Sequence, residues 1–178
     1  NSNVMTYILN IETATKNCSV SLSADGKTIA LQEIATENFS HAEKLHVFIE
    51  ELLLETNEAL KEVKAIAVSQ GPGSYTGLRI GVSAAKGLCY ALSIPLIAVD
   101  TLEILARKIN ISNGTILPMI DARRLEVYSA FFDSNYAKIR ETKAEIIDEN
   151  SFQEETEILH LIGDGAMKFK EILTKSLP

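Results

Sequence analysis

The chain has 178 residues, 46% of them hydrophobic, enough for one large domain or for two small lobes with cores of their own. Its 17 Lys and Arg against 24 Asp and Glu leave a formal net charge of -7, which excludes a broad basic surface able to neutralise many phosphates unaided. The two cysteines, Cys18 and Cys89, lie in apolar segments, which excludes a disulfide scaffold and fits reduced thiols in a cytoplasmic protein.

Met5 to Ile11, Cys18 to Ala24 and Lys27 to Ile34 read as strands. Asp25-Gly26 is a hairpin signal between the last two, so an antiparallel meander is predicted. The first apolar run is interrupted by Asn10 and Glu12, and neither an export signal nor a membrane span is expected from it. Ser40 and Glu43 have the spacing of a capping box. Behind them Ala42, Leu45, Phe48, Ile49, Leu52 and Leu53 recur at helical spacing. Val63 to Ser69 has the β-branched, apolar character of a buried strand. A glycine-rich turn follows, then a helix from about Thr76 to Leu92 and a strand from Leu96 to Val99. Three strands, helix, strand, helix, strand is the order of a ribonuclease-H-like lobe, with the later helices as right-handed crossovers.

A weaker echo starts near Thr115. Ile116 to Ile120, Glu126 to Asp133 and Tyr136 to Glu141 are predicted strands, with Ser134-Asn135 where the first lobe has Asp-Gly. Ile158 to Ile162 reads as a further strand, and Gly163-Asp164-Gly165 leads into a helix from Ala166 to about Lys175. The expected division is residues 1–105 for the first lobe and 106–178 for the second. The second lacks the last strand and helix of the first, so it is expected to be either abbreviated or truncated, and truncation is favoured.

The turn Glu12-Thr13-Ala14-Thr15 follows an apolar strand and offers hydroxyls and N–H groups where a phosphate could sit, although a plain polar turn meets the same steric need. Gly71-Pro72-Gly73-Ser74-Tyr75-Thr76-Gly77 implies tightly specified backbone before a helix. It has neither the Gly-Lys-Ser/Thr ending of a P-loop nor the Gly-x-Gly-x-x-Gly pattern. The helix it opens carries Gly77, Gly81, Ala84, Ala85, Leu88 and Leu92 on one side, smooth enough for another backbone to approach. Arg79, Ser83, Lys86 and Tyr90 fall elsewhere around it, as solvated surface or as a contact site. Val47 and Leu54 sit opposite the core stripe of the first helix, and a helix apolar on two sides usually has two neighbours. His41, His46 and His160 are scattered and lack the i, i+4 spacing of paired metal ligands, so they are expected to serve packing or an interface.

These segments resemble the TsaB (YeaZ) family of tRNA threonylcarbamoyladenosine subunits, once grouped with glycoprotease-like proteins. The resemblance rests on Ile11-Glu12-Thr13-Ala14-Thr15, Ser40-His41-Ala42-Glu43-Lys44-Leu45, Gly71-Pro72-Gly73-Ser74-Tyr75-Thr76-Gly77-Leu78-Arg79 and Lys86-Gly87-Leu88. It continues in Asp121-Ala122-Arg123-Arg124 with Glu126-Val127-Tyr128, and in Gly163-Asp164-Gly165-Ala166. It implies an α/β, actin-like ATPase (ASKHA) fold of two ribonuclease-H-like lobes. It also implies a role beside TsaD, the enzyme that transfers threonylcarbamoyl to N6 of the adenosine next to the anticodon.

Further implied expectations are TsaE in a larger complex, a homodimer in isolation, contact with tRNA only through the complex, and no membrane. No metal or cofactor of its own is expected, and ATP or ADP would be bound at the partner interface. The interface residues implied are His41, Leu45, Val47, Phe48, Leu54, Tyr75, Leu78, Arg79, Val82 and Lys86. The nucleotide-proximal ones are Glu12, Thr13, Thr15, Asp121, Arg123, Gly163 and Gly165. Where TsaD carries a His-x-x-x-His metal pair, this chain has Thr101 and Leu105, and lone acids such as Asp100 or Glu103 do not rebuild a three-ligand site. No catalytic residue is therefore expected. The competing readings are an ATPase or small-molecule kinase, with Glu12 and Asp121 as its acidic pair, and a metallopeptidase.

Overall fold

In the computed structural model, residues 5–35, 41–58 and 60–176 are described. They form two compact units, residues 1–99 and 100–178, so the division falls a few residues before the expected one after 105.

The first unit opens with β1 (Tyr7–Glu12), β2 (Asn17–Ala24) and β3 (Lys27–Ala35), an antiparallel meander. Cys18, Val20 and Leu22 alternate with serines along β2, so one face is buried and the register is set. Asp25 and Gly26 take φ of 48° and 81°, the left-handed pair that lets a two-residue turn match strand twist. Next come α1 (His41–Thr56), β4 (Val63–Gly71), α2 (Tyr75–Leu92) and β5 (Leu96–Asp100). The strand order β3-β2-β1-β4-β5, with β4 parallel to β1, is the ribonuclease-H-like order. Leu9, Ile11, Val20 and Leu22 of the sheet share one core cluster with Leu45 and Leu52 of α1 and with Ala85 and Cys89 of α2. The expected capping residue Ser40 lies outside the described residues.

The second unit begins with a helix that periodicity did not reveal, α3 (Thr101–Ala106). The Asp100 carboxylate accepts from Leu102 N at 2.7 Å and Glu103 N at 3.3 Å, which caps the helix as an N-terminal aspartate does. Six residues are too few to display a helical period, and the helix belongs here because Leu102 and Ala106 pack on strands of this unit. It is followed by β6 (Thr115–Asp121), β7 (Glu126–Phe132), β8 (Lys138–Ile146), β9 (Leu159–Ile162) and α4 (Asp164–Ser176).

The sheet order is β8-β7-β6-β9, with β9 parallel to β6. β6 is central and buried on both sides. Ile116 and Ile120 join the cluster with α3, while Leu117 and Met119 join Phe169 of α4 in another. β8 starts and ends later than the predicted Tyr136 to Glu141. Asp133 accepts from Asn135 N and Ala137 N, and Tyr136 has a φ of 62°, so the turn runs through residue 137 before pairing resumes.

Candidate functional site

The core stripe of α1 is wider than the interface expectation allowed. His41 is 1% exposed, and its Nε2–H donates to the Thr15 carbonyl. Leu45 and Phe48, at 0% and 9%, lie in the core cluster. At 100° per residue, positions 41, 45, 48 and 52 stack on the side facing the sheet. These three expected interface residues are therefore structural. The outward face keeps Val47 and Leu54, 43% and 75% exposed, among exposed Glu43, Glu50, Glu51 and Glu55. On α2, Tyr75 is 74% exposed, with the Arg79 guanidinium 5.4 Å from its ring centroid, and Lys86 is exposed too. Leu78 and Val82 are half-buried, and Val82 packs against the core. Tyr90 is the most exposed large hydrophobic side chain of this helix, which its sequence position on the polar side anticipates.

The small-residue side of α2 meets the backbone of its own unit. A Cβ at Gly77 would strike the Thr13 carbonyl, one at Gly81 the Thr13 hydroxyl, and one at Gly73 the Ala14 carbonyl. Thr13 Oγ1 donates to the Gly77 carbonyl at 2.6 Å, and Ser74 N donates to the Ala14 carbonyl at 2.6 Å. The glycine-rich segment thus clamps the turn between β1 and β2. Glu12 Oε1 closes that turn by accepting from Ala14 N at 2.7 Å and from Ser69 Oγ at 2.8 Å. Thr15 is half-buried, its Oγ1 accepting from Asn17 N at 3.3 Å. Removing the carboxylate strands two donors, one on a buried serine, so Glu12→Ala is expected to cost about 1–3 kcal/mol in chemical unfolding. Unchanged stability would show that the carboxylate is not a structural cap.

The turn after β6 is the counterpart. Asp121 Oδ1 accepts from Arg123 N at 2.7 Å and from Lys168 Nζ, and Asp121 N donates to Asp164 Oδ1 at 2.8 Å. Gly163, with a φ of 105°, and Gly165 come against the Met119 backbone, where a Cβ would collide. In both turns a strand-final acid caps the N–H two residues on, and glycines at a helix start allow the close approach.

The positions after β5 are also committed. Asp100, besides capping α3, receives Lys138 Nζ at 2.6 Å, and Glu103 pairs with Arg107 at 2.7 Å. Thr101 is 2% exposed and Leu105 packs with the α3 cluster. No group of three His, Cys, Asp or Glu side chains able to hold a metal occurs among the described residues. His160 Nε2–H donates to the Asn113 carbonyl at 2.9 Å. Burial pushes the Cys18 and Cys89 thiols above their ordinary range, so neither is poised as a thiolate nucleophile. No helix among the described residues is long and apolar enough to cross a membrane.

An antiparallel three-strand meander with a fourth strand parallel to its first, present in both units with matching acid-capped turns, defines a mixed α/β protein built from a repeated ribonuclease-H-like unit. The family model for TsaD, tRNA N6-adenosine threonylcarbamoyltransferase, matches residues 33–176. The chain is 38% identical over 125 residues to the tRNA threonylcarbamoyladenosine biosynthesis protein TsaB of Escherichia coli, covering 69% of this chain and 53% of that one. It is 31% identical over 176 residues to the TsaB of Buchnera aphidicola subsp. Acyrthosiphon pisum, covering 93% and 79%. YeaZ from Pseudomonas aeruginosa superposes with a TM-score of 0.81 at 28% identity, over 94% of this chain and 80% of that one. The chain belongs to the TsaB (YeaZ) family of tRNA threonylcarbamoyladenosine biosynthesis proteins. It spans about half the length of the Escherichia coli relative, 53%.

Proposed function

We propose that this chain is a non-catalytic subunit that scaffolds or activates a TsaD-type transferase. The reaction served is transfer of threonylcarbamoyl to N6 of the adenosine beside the anticodon, in tRNAs that read codons beginning with A. The observation that carries this reading is the chemistry after β5. Thr101 and Leu105 offer no ligand pair, and Asp100 and Glu103 are engaged by Lys138 and Arg107. A catalytic metal needs about three converging protein ligands, and nothing at this position supplies them. The chain's charge of -7 supports contact with tRNA through a partner and not alone.

In this reading the exposed faces of α1 and α2 bind TsaD, or a second copy of the chain when TsaD is absent. TsaE joins the larger cytoplasmic assembly. The chain carries no cofactor of its own, and ATP or ADP is held where it meets its partner. The Glu12 and Asp121 carboxylates that an ATPase or kinase would need are occupied as turn caps, which weakens that alternative.

The test is a tRNA modification assay on the isolated chain, on TsaD alone and on both together, with metal analysis of each preparation. The isolated chain is expected to hold no stoichiometric zinc or iron and to transfer nothing, and its addition to TsaD is expected to raise transfer. Metal together with activity in the isolated chain would overturn the reading.

A further inference from the structure

Ala122, Arg123, Arg124, Leu125, Glu126 and Ile146 line an open cavity of about 600 Å³ on the second unit. Three of the chain's arginines have partners: Arg79 stacks on Tyr75, Arg107 pairs with Glu103, and Arg140 pairs with Glu145. The Arg123 and Arg124 guanidiniums are exposed and meet neither a carboxylate nor a ring among the described residues.

The turn that presents them is firmly held. Glu126 N donates to the Arg123 carbonyl at 3.0 Å, Ala122 N to the Glu126 carbonyl at 3.0 Å, and Ile147 N to the Leu125 carbonyl at 2.8 Å. Both arginines adopt the left-handed region, with φ of 74° and 47°, a conformation uncommon for residues other than glycine. Beside them Leu125 and Ile146 are 54% and 75% exposed, and Ile146 is the cross-strand partner of Glu126. Two unpaired cations and two bare aliphatic side chains thus share one preorganised hollow.

We propose that this hollow docks an acidic segment of a partner protein, its carboxylates on Arg123 and Arg124 and an aliphatic side chain over Leu125 and Ile146. Bidentate guanidinium–carboxylate pairing supplies the directional contacts, and burial of the aliphatic pair supplies the area. A phosphate chain fits less well. It would satisfy the two guanidiniums but leave Leu125 and Ile146 wet, whereas a peptide carries an aliphatic side chain to cover them. The surface is separate in sequence from the α1 and α2 faces of the proposed function and does not depend on them.

The experiment titrates protein labelled at Leu and Ile methyls and at arginine Nε with a blocked Glu-Leu-Glu-Glu-Leu peptide. Separate arms use inorganic pyrophosphate and a single-stranded RNA oligonucleotide. The peptide is expected to shift the Leu125 and Ile146 methyls together with the Arg123 and Arg124 Nε signals, less so at high salt. The R123E/R124E double variant, checked for an unchanged melting temperature, is expected to bind the peptide about tenfold more weakly or worse. The proposal is overturned if pyrophosphate or RNA moves these signals and the peptide does not, if no arm binds, or if charge reversal leaves peptide binding unchanged.

Discussion

Leu54→Asp is expected to break the assembly proposed to form through α1 and α2, with TsaD or with a second copy, while leaving the first unit folded. Leu54 is 75% exposed and lies two turns from exposed Val47, so neither side chain contributes much to its own core. A stable interface of this kind buries roughly 1,200–2,000 Å², and a few central apolar anchors carry most of its energy. A carboxylate buried there without a partner costs several kcal/mol, and each 1.4 kcal/mol is tenfold, so affinity should fall about a thousandfold. Glu50, Glu51 and Glu55 are exposed on the same helix, so the new carboxylate adds to a local field that is already negative. Sedimentation and thermal melting on the same sample decide the matter. Assembly as tight as the parent's, or loss of the fold together with assembly, would place the interface elsewhere.

Two glycines in α2 should respond to alanine with opposite signs. Gly87 has nothing within 4 Å of a built Cβ, so Gly87→Ala should stabilise by about 1 kcal/mol through reduced backbone entropy in the unfolded chain. Gly77 sits in the same helix, yet its Cβ would strike the Thr13 carbonyl and come within 3.3 Å of the His41 ring. Backbone cannot yield as a flexible side chain can, and the Thr13 hydroxyl bond to the Gly77 carbonyl would be displaced with it. Gly77→Ala should therefore cost about 3 kcal/mol, near the upper end for overpacking. Melting temperatures should move in opposite directions, by roughly 4–8 °C per kcal/mol for a unit of this size. If Gly77→Ala is as stable as the parent, the clamp between α2 and the first turn is not what requires glycine there, and that face is open to a partner.

Much of the fold is determined by local sequence because its signals are short-range. Alternating Cys18, Val20 and Leu22, the Asp25-Gly26 turn and the stripe through Leu45, Ile49 and Leu52 each specify a period or a turn geometry within a few residues. Thr101 and Leu105, which carry no imidazole, likewise need no fold to argue against a metal pair at these positions.

Three other features could be decided only by packing between segments far apart in the chain. His41, Leu45 and Phe48 could be read as interface or core until the sheet came to lie against that side of α1. Gly77 and Gly81 of α2 invite a partner's backbone in sequence, but what they accommodate is Thr13, some sixty residues earlier. Glu12 and Asp121 look equally suited to holding a phosphate or capping a turn. Their choice follows from which donors tertiary structure brings to them, Ser69 for one and Lys168 for the other. A carboxylate does not record its partner in its own sequence neighbourhood, because hydrogen bonds across long sequence separations are set by how strands and helices pack, and no local periodicity encodes that.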